Sequence, residues 1–221
     1  MNSPFLVLSL RCALLSKEIK LKFLTLTWKK VQQLSYKVCD QILKEGFKPD
    51  VIVGVMRGGW IPARIMLDIL DVSTLAALEI KFYKGIGEVK ERPVLTQPLI
   101  VDIRDKKVLI VDDVVDTGKS LSVAVETLKL YGPLQIKTAA LVVKPWSIIN
   151  PDFYALKTDA WVIFPWEIRE TVKEILKSLN MSIKRKEKLE KIAEIISKQT
   201  GLRKSEVLRT LKILRKEKCL S

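Results

Sequence analysis

Short, almost wholly apolar runs rich in β-branched residues recur along most of the chain. They occupy residues 51–56, 75–82, 107–111, 136–143 and 161–164. Helical patterns separate them at residues 62–70 and 119–131, and an amphipathic pattern precedes the first run between Thr27 and Gly46. Strands that are apolar on both faces are typical of a parallel sheet covered by helices on both sides. The sequence therefore predicts an α/β fold, a mostly parallel twisted sheet flanked by helices, with ligands bound beyond the carboxyl ends of its strands.

The distribution of charge divides the chain unequally. Residues 181–221 hold 13 Lys and Arg against 5 Glu, so +8 of the net charge of +14 lies there. A helical pattern over residues 168–179 precedes a charge run at 184–188, and two further helical patterns follow. We predict an N-terminal extension over residues 1–23, an α/β domain over 24–180 and a small basic helical appendage over 181–221.

Composition narrows the chemistry available to the chain. Histidine is absent, which excludes Ser/His/Asp triads, Cys/His pairs and histidine-based zinc sites. Acid–base chemistry must then use carboxylates, lysines or tyrosines. Cys12, Cys39 and Cys219 have neither a metal-ligand nor a disulfide-framework spacing, so we expect a reducing, cytoplasmic compartment. Arg11 interrupts a short apolar run at residues 5–10, and we expect neither a secretion signal nor a membrane span.

The most informative motif is residues 108–121, VLIVDDVVDTGKSL. A hydrophobic strand ends in Asp112 and Asp113, Asp116 follows, and a Thr-Gly-Lys-Ser turn opens a helix. Backbone N–H groups at a helix start attract phosphate, and Gly118 lets the main chain approach it closely. A P-loop would need a glycine at position 113, where aspartate stands. The alternative is a structural role in which the acids cap the helix or solvate the strand end, although adjacent carboxylates repel each other there.

This motif resembles the phosphoribosyl pyrophosphate (PRPP) signature of the type I phosphoribosyltransferase family. The resemblance implies that Asp112 and Asp113 hold the ribose hydroxyls of PRPP. It also implies that the following turn binds the 5′-phosphate, through Asp116, Thr117, Gly118, Lys119 and Ser120. In the purine-using branch of the family the third acid lies near N7 of the base. Asp116 is therefore the candidate catalytic acid/base.

Residues 53–63, VGVMRGGWIPA, form a second strand-to-helix turn, one strand–helix unit upstream. They resemble the pyrophosphate loop of the same family, so Arg57, Gly58 and Gly59 are expected to bind the leaving pyrophosphate. The family often has a non-proline cis peptide in this loop, which makes the Met56–Arg57 bond the candidate. Taken alone, the segment is equally typical of an ordinary strand-to-helix turn.

Residues 141–145, LVVKP, and 158–167, TDAWVIFPWE, resemble the base-binding region of the 6-oxopurine (xanthine-guanine and hypoxanthine) transferases. The resemblance implies that Lys144 donates to an exocyclic oxygen of the base, Trp161 stacks on the purine and the Val162 backbone contacts the base edge. Glu167 is expected near the pyrophosphate and metal or the base edge. An indole can stack on a base, but Trp161 is as compatible with a core position.

The resemblance also implies a flexible lid within residues 84–97, with Tyr83 matching the tyrosine of a usual Ser-Tyr pair. Phe82 replaces the serine. Mg²⁺ is the implied cofactor, held by the ribose hydroxyls and pyrophosphate of PRPP, with Asp112, Asp113 and Glu167 as possible ligands. The implied reaction joins a purine base to PRPP and yields a nucleoside monophosphate and pyrophosphate.

The choice of purine depends on Lys144, because an ammonium group can only donate hydrogen bonds. A donor matches the 6-oxo group of guanine, hypoxanthine or xanthine and opposes the 6-amino group of adenine. Backbone carbonyls could still accept from adenine, which leaves adenine open. The family commonly forms dimers, and we expect a homo-oligomer.

The basic appendage contains two amphipathic patterns joined by a glycine turn. Their shared apolar face consists of Ile192, Ala193, Ile196, Leu202, Val207, Leu211 and Leu214. The pattern resembles the second and third helices of a helix-turn-helix, with Arg203, Lys204, Ser205, Glu206 and Arg209 outward. Nucleic acid binding through residues 184–218 is one interpretation, and a solvated packing appendage is the other.

Two functions remain for the whole chain: a purine-salvage enzyme, or a PRPP-sensing regulator that binds nucleic acid. Because Asp116, Lys144 and Trp161 occur together, the enzyme is favoured.

Overall fold

The computed structural model describes residues 22–83, 92–179 and 189–218. Among these residues the strands are β1 (Phe23–Thr25), β2 (Val51–Met56), β3 (Thr74–Tyr83), β4 (Arg92–Gln97), β5 (Lys107–Val115), β6 (Gln135–Val143), β7 (Phe153–Lys157) and β8 (Trp161–Ile163). The helices are α1 (Trp28–Glu45), α2 (Trp60–Ile69), α3 (Lys119–Lys129), α4 (Ile168–Ser178), α5 (Leu189–Thr200) and α6 (Lys204–Lys218). No helix within the described ranges has the length and apolar character needed to span a bilayer.

These elements form two compact units. The first, residues 28–159, is called the sheet unit, and the second, residues 22–27, 160–179 and 189–218, is called the helical unit. The predicted boundary at residue 180 lies outside the described residues and stays a prediction. Helix α4 precedes this boundary, and α5 and α6 follow it. All three helices nevertheless share one apolar core.

The sheet unit is built on a sheet whose strands, in the described residues, run in the order β4-β3-β2-β5-β6-β7. Every neighbouring pair is parallel except β3 with β4. Parallel order places the carboxyl ends of β2, β5 and β6 at one edge. The loops that follow these strands therefore lie at that edge, and the predicted mostly parallel sheet is confirmed.

Alternating residues of the central strands fill a core on each face of this sheet. Val53 and Val55 of β2 share one core with Leu121 and Leu128 of α3. Ile52 points to the opposite face, because successive strand residues alternate, and it too is fully buried. Helices α1 and α2 contact each other there, and α2 also contacts β2 and β5. A sheet covered on both faces explains why its strands are almost wholly apolar.

Four described strands, β1, β4, β7 and β8, differ from the sequence predictions. β4 occupies the second half of the segment expected to be a lid, as an antiparallel edge strand whose residues alternate in burial over 94–97. β7 adds a second edge strand that the sequence patterns did not predict. β8, expected in the main sheet, pairs instead with β1 in a separate two-stranded sheet of the helical unit. Residues 84–91 of the predicted lid lie outside the described residues.

Candidate active site

Two adjacent carboxylates lie buried near the end of β5. Asp112 and Asp113 are 9% and 7% exposed. One oxygen of Asp112 accepts from the Asp113 amide at 2.9 Å, and one of Asp113 accepts from the Val114 amide at 2.8 Å. Burial, followed by the charge of Asp113, raises the pKa of Asp112 well above the usual carboxyl value. Two buried acids side by side carry an electrostatic cost, which disfavours a purely structural role.

The loop after β2 lies directly against this acid pair. A Cβ on Gly58 would lie 1.8 Å from Oδ2 of Asp113, so a side chain there would displace the carboxylate. A Cβ on Gly59 would meet backbone instead, 2.5 Å from the Val111 oxygen and 2.8 Å from Cα of Asp112. Close packing against backbone therefore requires Gly59, whereas a larger residue at position 58 would disturb the Asp113 carboxylate. The expected cis peptide at Met56–Arg57 is confirmed, and the Arg57 side chain is exposed.

The loop after β5 makes the turn expected of a phosphate-binding segment. Gly118 has a left-handed φ of 84° and caps the start of α3. A Cβ there would lie 2.8 Å from the Ser147 hydroxyl, so both conformation and space demand glycine. Thr117 and Lys119 are exposed, and the Thr117 hydroxyl accepts from the Lys119 amide at 3.4 Å. The first amides of a helix have no intrahelical acceptor, so the start of α3 can attract an anion.

The loop after β6 contributes a residue that the sequence analysis missed. The indole N–H of Trp146 donates to a carboxylate oxygen of Asp116 at 2.8 Å. The Lys144 ammonium lies 5.5 Å from the centre of the Trp146 ring. Trp146 follows Lys144 by two residues, and this proximity to a predicted site residue was the signal available in the sequence. Trp146 thus links the candidate acid/base to the candidate base-binding lysine.

Lys144 is a buried lysine, only 7% exposed, at the carboxyl end of β6. Its backbone amide donates to the Val115 oxygen of β5 at 2.9 Å, which ties the two loops together. Burial lowers the pKa of the Lys144 ammonium, while the nearby carboxylates of Asp116 and Asp159 raise it. A desolvated ammonium held in this way is a strong hydrogen-bond donor for a carbonyl oxygen.

The remaining predicted base contacts belong to the helical unit. Trp161 is 48% exposed in β8, so the core alternative for this indole is wrong. Val162 is buried and pairs with Leu24 of β1. A carboxylate oxygen of Glu167 accepts from the Phe164 amide at 3.1 Å, which closes the turn before α4. The roles of these residues at base, metal or pyrophosphate stay predictions. The same holds for Tyr83, whose side chain lies outside the described residues.

The acid pair fits the way proteins hold Mg²⁺. Within the described residues there is no group of three or more carboxylate, thiol or imidazole side chains able to bind a metal ion. Sites for Mg²⁺ with phosphate substrates commonly use one or two carboxylates, and substrate oxygens and water complete the octahedron. Asp112 and Asp113 supply hard oxygen ligands whose buried charges a divalent cation would offset.

Comparisons with known proteins agree with this geometry. The family model described as the phosphoribosyl transferase domain matches residues 25–173. A xanthine-guanine phosphoribosyltransferase of Ruegeria sp. (strain TM1040) is 32% identical over 138 residues, which are 56% of this chain and 74% of that protein. The bifunctional protein PyrR of Clostridium kluyveri is 27% identical over 133 residues, 56% of this chain and 75% of that protein.

A solved structure is also similar to this chain. The crystal structure of a purine phosphoribosyltransferase from Pyrococcus horikoshii matches with a TM-score of 0.60 and 43% identity. The match covers 66% of this chain and 93% of that chain. The family match ends at residue 173, within α4 and before α5. Because the family model covers most of the chain, this chain belongs to the phosphoribosyl transferase domain family.

Proposed function

We propose that this protein is a purine phosphoribosyltransferase of nucleotide salvage, a glycosyltransferase that moves 5-phosphoribosyl from PRPP to a base. The products are a nucleoside monophosphate and pyrophosphate. The observation that carries the proposal is the buried pair Asp112 and Asp113, packed against Gly58. Carboxylate oxygens accept hydrogen bonds from hydroxyl groups and coordinate hard cations, so PRPP with Mg²⁺ suits this pair.

The three loops at the carboxyl edge divide the recognition of PRPP among them. The carboxylates of Asp112 and Asp113 accept hydrogen bonds from the two ribose hydroxyls. The helix start at Gly118 binds the 5′-phosphate through backbone amides, with the Thr117 and Ser120 hydroxyls and the Lys119 ammonium beside it. The Arg57–Gly59 loop binds the pyrophosphate, where a guanidinium matches two phosphate oxygens. Bound Mg²⁺ supplies positive charge that offsets the charge developing on the leaving pyrophosphate.

Asp116 is the residue that handles the proton. As N9 of the base attacks the ribose, the Asp116 carboxylate accepts the proton from N7. The 2.8 Å hydrogen bond from Trp146 holds one of its oxygens and leaves the other for the base. A carboxylate base agrees with a chain that has no histidine.

The base we propose is a 6-oxopurine. Lys144 is a buried ammonium that can only donate, and a purine carbonyl accepts its hydrogen bond whereas an amino group does not. The half-exposed Trp161 offers an indole face for stacking. Adenine, with the same PRPP site, is the alternative base.

A product assay tests this proposal directly. The full chain is incubated with PRPP, Mg²⁺ and, in separate reactions, hypoxanthine, guanine, xanthine, adenine, uracil or orotate, and nucleotide and pyrophosphate are quantified. We expect equal amounts of both products with a 6-oxopurine. Turnover only with adenine would refute the role of Lys144, and turnover only with uracil or orotate would refute the purine assignment. A lack of nucleotide from every base would favour a PRPP-sensing regulator.

We also propose that the enzyme acts as a homo-oligomer in the reducing cytoplasm. Cys39 is buried in α1, and burial, with a contribution from Asp40, raises the pKa of its thiol to about 12. A protonated, buried thiol does not form disulfides readily. The buried Cys39 thiol is therefore compatible with a reducing compartment.

A further inference from the structure

The helical unit ends in two helices joined by a tightly fixed three-residue turn. Gly201 has a left-handed φ of 75°, and its amide donates to the Ser197 oxygen at 2.9 Å. The Ser197 hydroxyl donates to the Leu202 oxygen at 2.7 Å, and the Thr25 hydroxyl donates to the Thr200 oxygen. The turn is therefore held by hydrogen bonds on both sides. A short turn with glycine between two packed helices is one feature of a helix-turn-helix.

The apolar face of these helices is fully used in packing, as the sequence predicted. Ile192, Ala193, Ile196, Leu202, Val207, Leu211 and Leu214 are all buried in one core. This core also includes Val172 and Ile175 of α4. The apolar side of α6 is thus unavailable to a bilayer, which an interfacial helix must enter with its apolar face.

The opposite face of α6 carries a basic stripe, defined as Ser205, Arg209, Lys212 and Lys216. These residues are all exposed and follow each other at intervals of four, three and four, which places them on one side of an α-helix. At 1.5 Å per residue the stripe is about 16 Å long. It is centred opposite Val207, Leu211 and Leu214, on the side of α6 that faces solvent.

The carboxylates of the two helices are all engaged away from this stripe. Glu206 pairs with Arg203 at 2.6 Å, and Glu217 pairs with Arg169 of α4 at 2.7 Å. Glu194 pairs with Lys198 at 3.0 Å and Lys204 at 3.7 Å, and Glu190 lies 4.0 Å from Lys204. None of the ion pairs among the described residues involves the three cations of the stripe. Their positive charge is therefore left for an anionic partner.

We propose that α5, the turn at residues 201–203 and α6 bind duplex DNA, with the basic stripe of α6 in or along the major groove. A helix is about 10–12 Å across, and the major groove is about 12 Å wide. Three cations on one helix face meet phosphates or guanine edges there. The deep, narrow major groove of duplex RNA does not admit a helix, so DNA is the duplex that fits.

The test measures binding of the full chain to a labelled mixed-sequence duplex of about 30 base pairs by fluorescence anisotropy over a range of salt concentrations. The stripe variant is R209Q/K212Q/K216Q. The matched control, K29Q/K44Q/K48Q, removes the same charge from exposed positions of the sheet unit. Glutamine keeps helix propensity close to that of Lys and Arg, and circular dichroism checks the fold.

We expect wild type and control to bind the duplex equally and the stripe variant to bind at least about 10-fold more weakly. The slope of log K against log salt should fall by up to about 2.7 in the stripe variant, since each lost phosphate contact removes about 0.9. Nucleotide formation from PRPP should be unchanged in both variants, because the stripe lies outside the catalytic loops. The result for DNA therefore stands apart from the proposed transferase activity.

Three results would overturn the inference. One is no binding of wild type to duplex DNA at low salt. Another is an equal loss in the stripe variant and the control, which would mean that only net charge matters. The last is tighter binding to an RNA hairpin or to anionic lipid vesicles than to the duplex, which would assign the stripe to a different partner.

Discussion

Neighbouring side chains of like charge are buried in the sheet unit and exposed in the helical unit. In the sheet unit, Asp112 and Asp113 lie side by side in the interior, where water cannot screen them. In the helical unit, Arg209, Lys212 and Lys216 lie together on the surface, where water and salt screen them. A buried like-charged pair costs stability and is poised for a specific ligand, whereas an exposed stripe costs little and suits a polyanion. Substitutions in the two units should therefore have different signatures.

The largest effect on chemistry is expected from Asp116→Asn. The amide keeps an oxygen for the Trp146 N–H but cannot take a proton, so kcat should fall by about 10² to 10⁴-fold. The KM for PRPP should change much less. Steady-state kinetics check both values, with Asp68→Asn on the surface of α2 as the control. An unchanged kcat would refute the acid/base role.

The variants Gly58→Ala and Gly59→Ala distinguish an effect on the candidate site from an effect on the stability of the fold. The Gly58 methyl meets the end of the Asp113 side chain, which can swing aside, so the fold should survive. The displaced carboxylate should lower kcat/KM for PRPP by about 10²-fold, near the cost of lost charge-assisted hydrogen bonds. The Gly59 methyl meets backbone of β2 and β5, so that variant should lose several degrees of Tm. Equal behaviour of the two variants in kinetics and thermal unfolding would contradict this distinction.

Trp146→Phe should have a smaller effect, mainly on kcat. Phenylalanine keeps an aromatic ring near Lys144 but removes the hydrogen bond to Asp116. The loss of one hydrogen bond to a charged group lowers kcat about 10-fold. The KM for PRPP should change less than kcat, since the hydrogen bond of the indole is to Asp116, the candidate acid/base. If KM rises and kcat does not fall, Trp146 acts in binding and not in positioning Asp116.

The smallest effect is expected on the stability of the stripe variant. Exposed charges contribute little to folding, so Tm of R209Q/K212Q/K216Q should lie within about 2 °C of wild type. Differential scanning calorimetry at two salt concentrations measures this. A fall of more than about 5 °C would show that the stripe is part of the fold and not a free surface.

The sequence predicted those parts of the molecule that are specified locally. The acid pair and Gly118 were predicted from residue type and spacing, because each lies where a buried strand meets a helix. The Arg57–Gly59 turn was identified through the family resemblance, since the segment alone is equally typical of an ordinary strand-to-helix turn. The apolar face of α5 and α6 was also predicted, because its residues recur at the spacing of a helix. These features needed no knowledge of distant contacts.

The features that the sequence did not predict depend on long-range pairing. β4 and β7 are short edge strands whose partners are chosen by the assembled sheet. β8 does not join the main sheet but pairs with β1, a strand of three residues far from it in the sequence. The hydrogen bond from Trp146 to Asp116 joins loops that are thirty residues apart. Apolar pattern alone does not specify which of several partners such segments take.

We propose that Asp112 and Asp113 are kept at a cost to stability because they bind PRPP. Because the pKa of Asp112 is raised in the folded state, that state binds its proton more tightly than the unfolded chain does. The free energy of unfolding therefore falls as the pH rises above the ordinary carboxyl range, and the charge opposes folding near neutral pH. Replacing the charges with neutral amides should relieve this cost.

The most direct measurement compares the double variant Asp112→Asn/Asp113→Asn with wild type at pH 7, for nucleotide formation from PRPP and for Tm. Asparagine keeps an oxygen for the Asp113 and Val114 amides, so the local turn should persist. We predict that turnover falls by about 10²-fold or more while Tm rises, since each lost charge-assisted hydrogen bond to the ribose is about 1.5–3 kcal/mol. Retained turnover, or a lower Tm with lost turnover, would contradict the account.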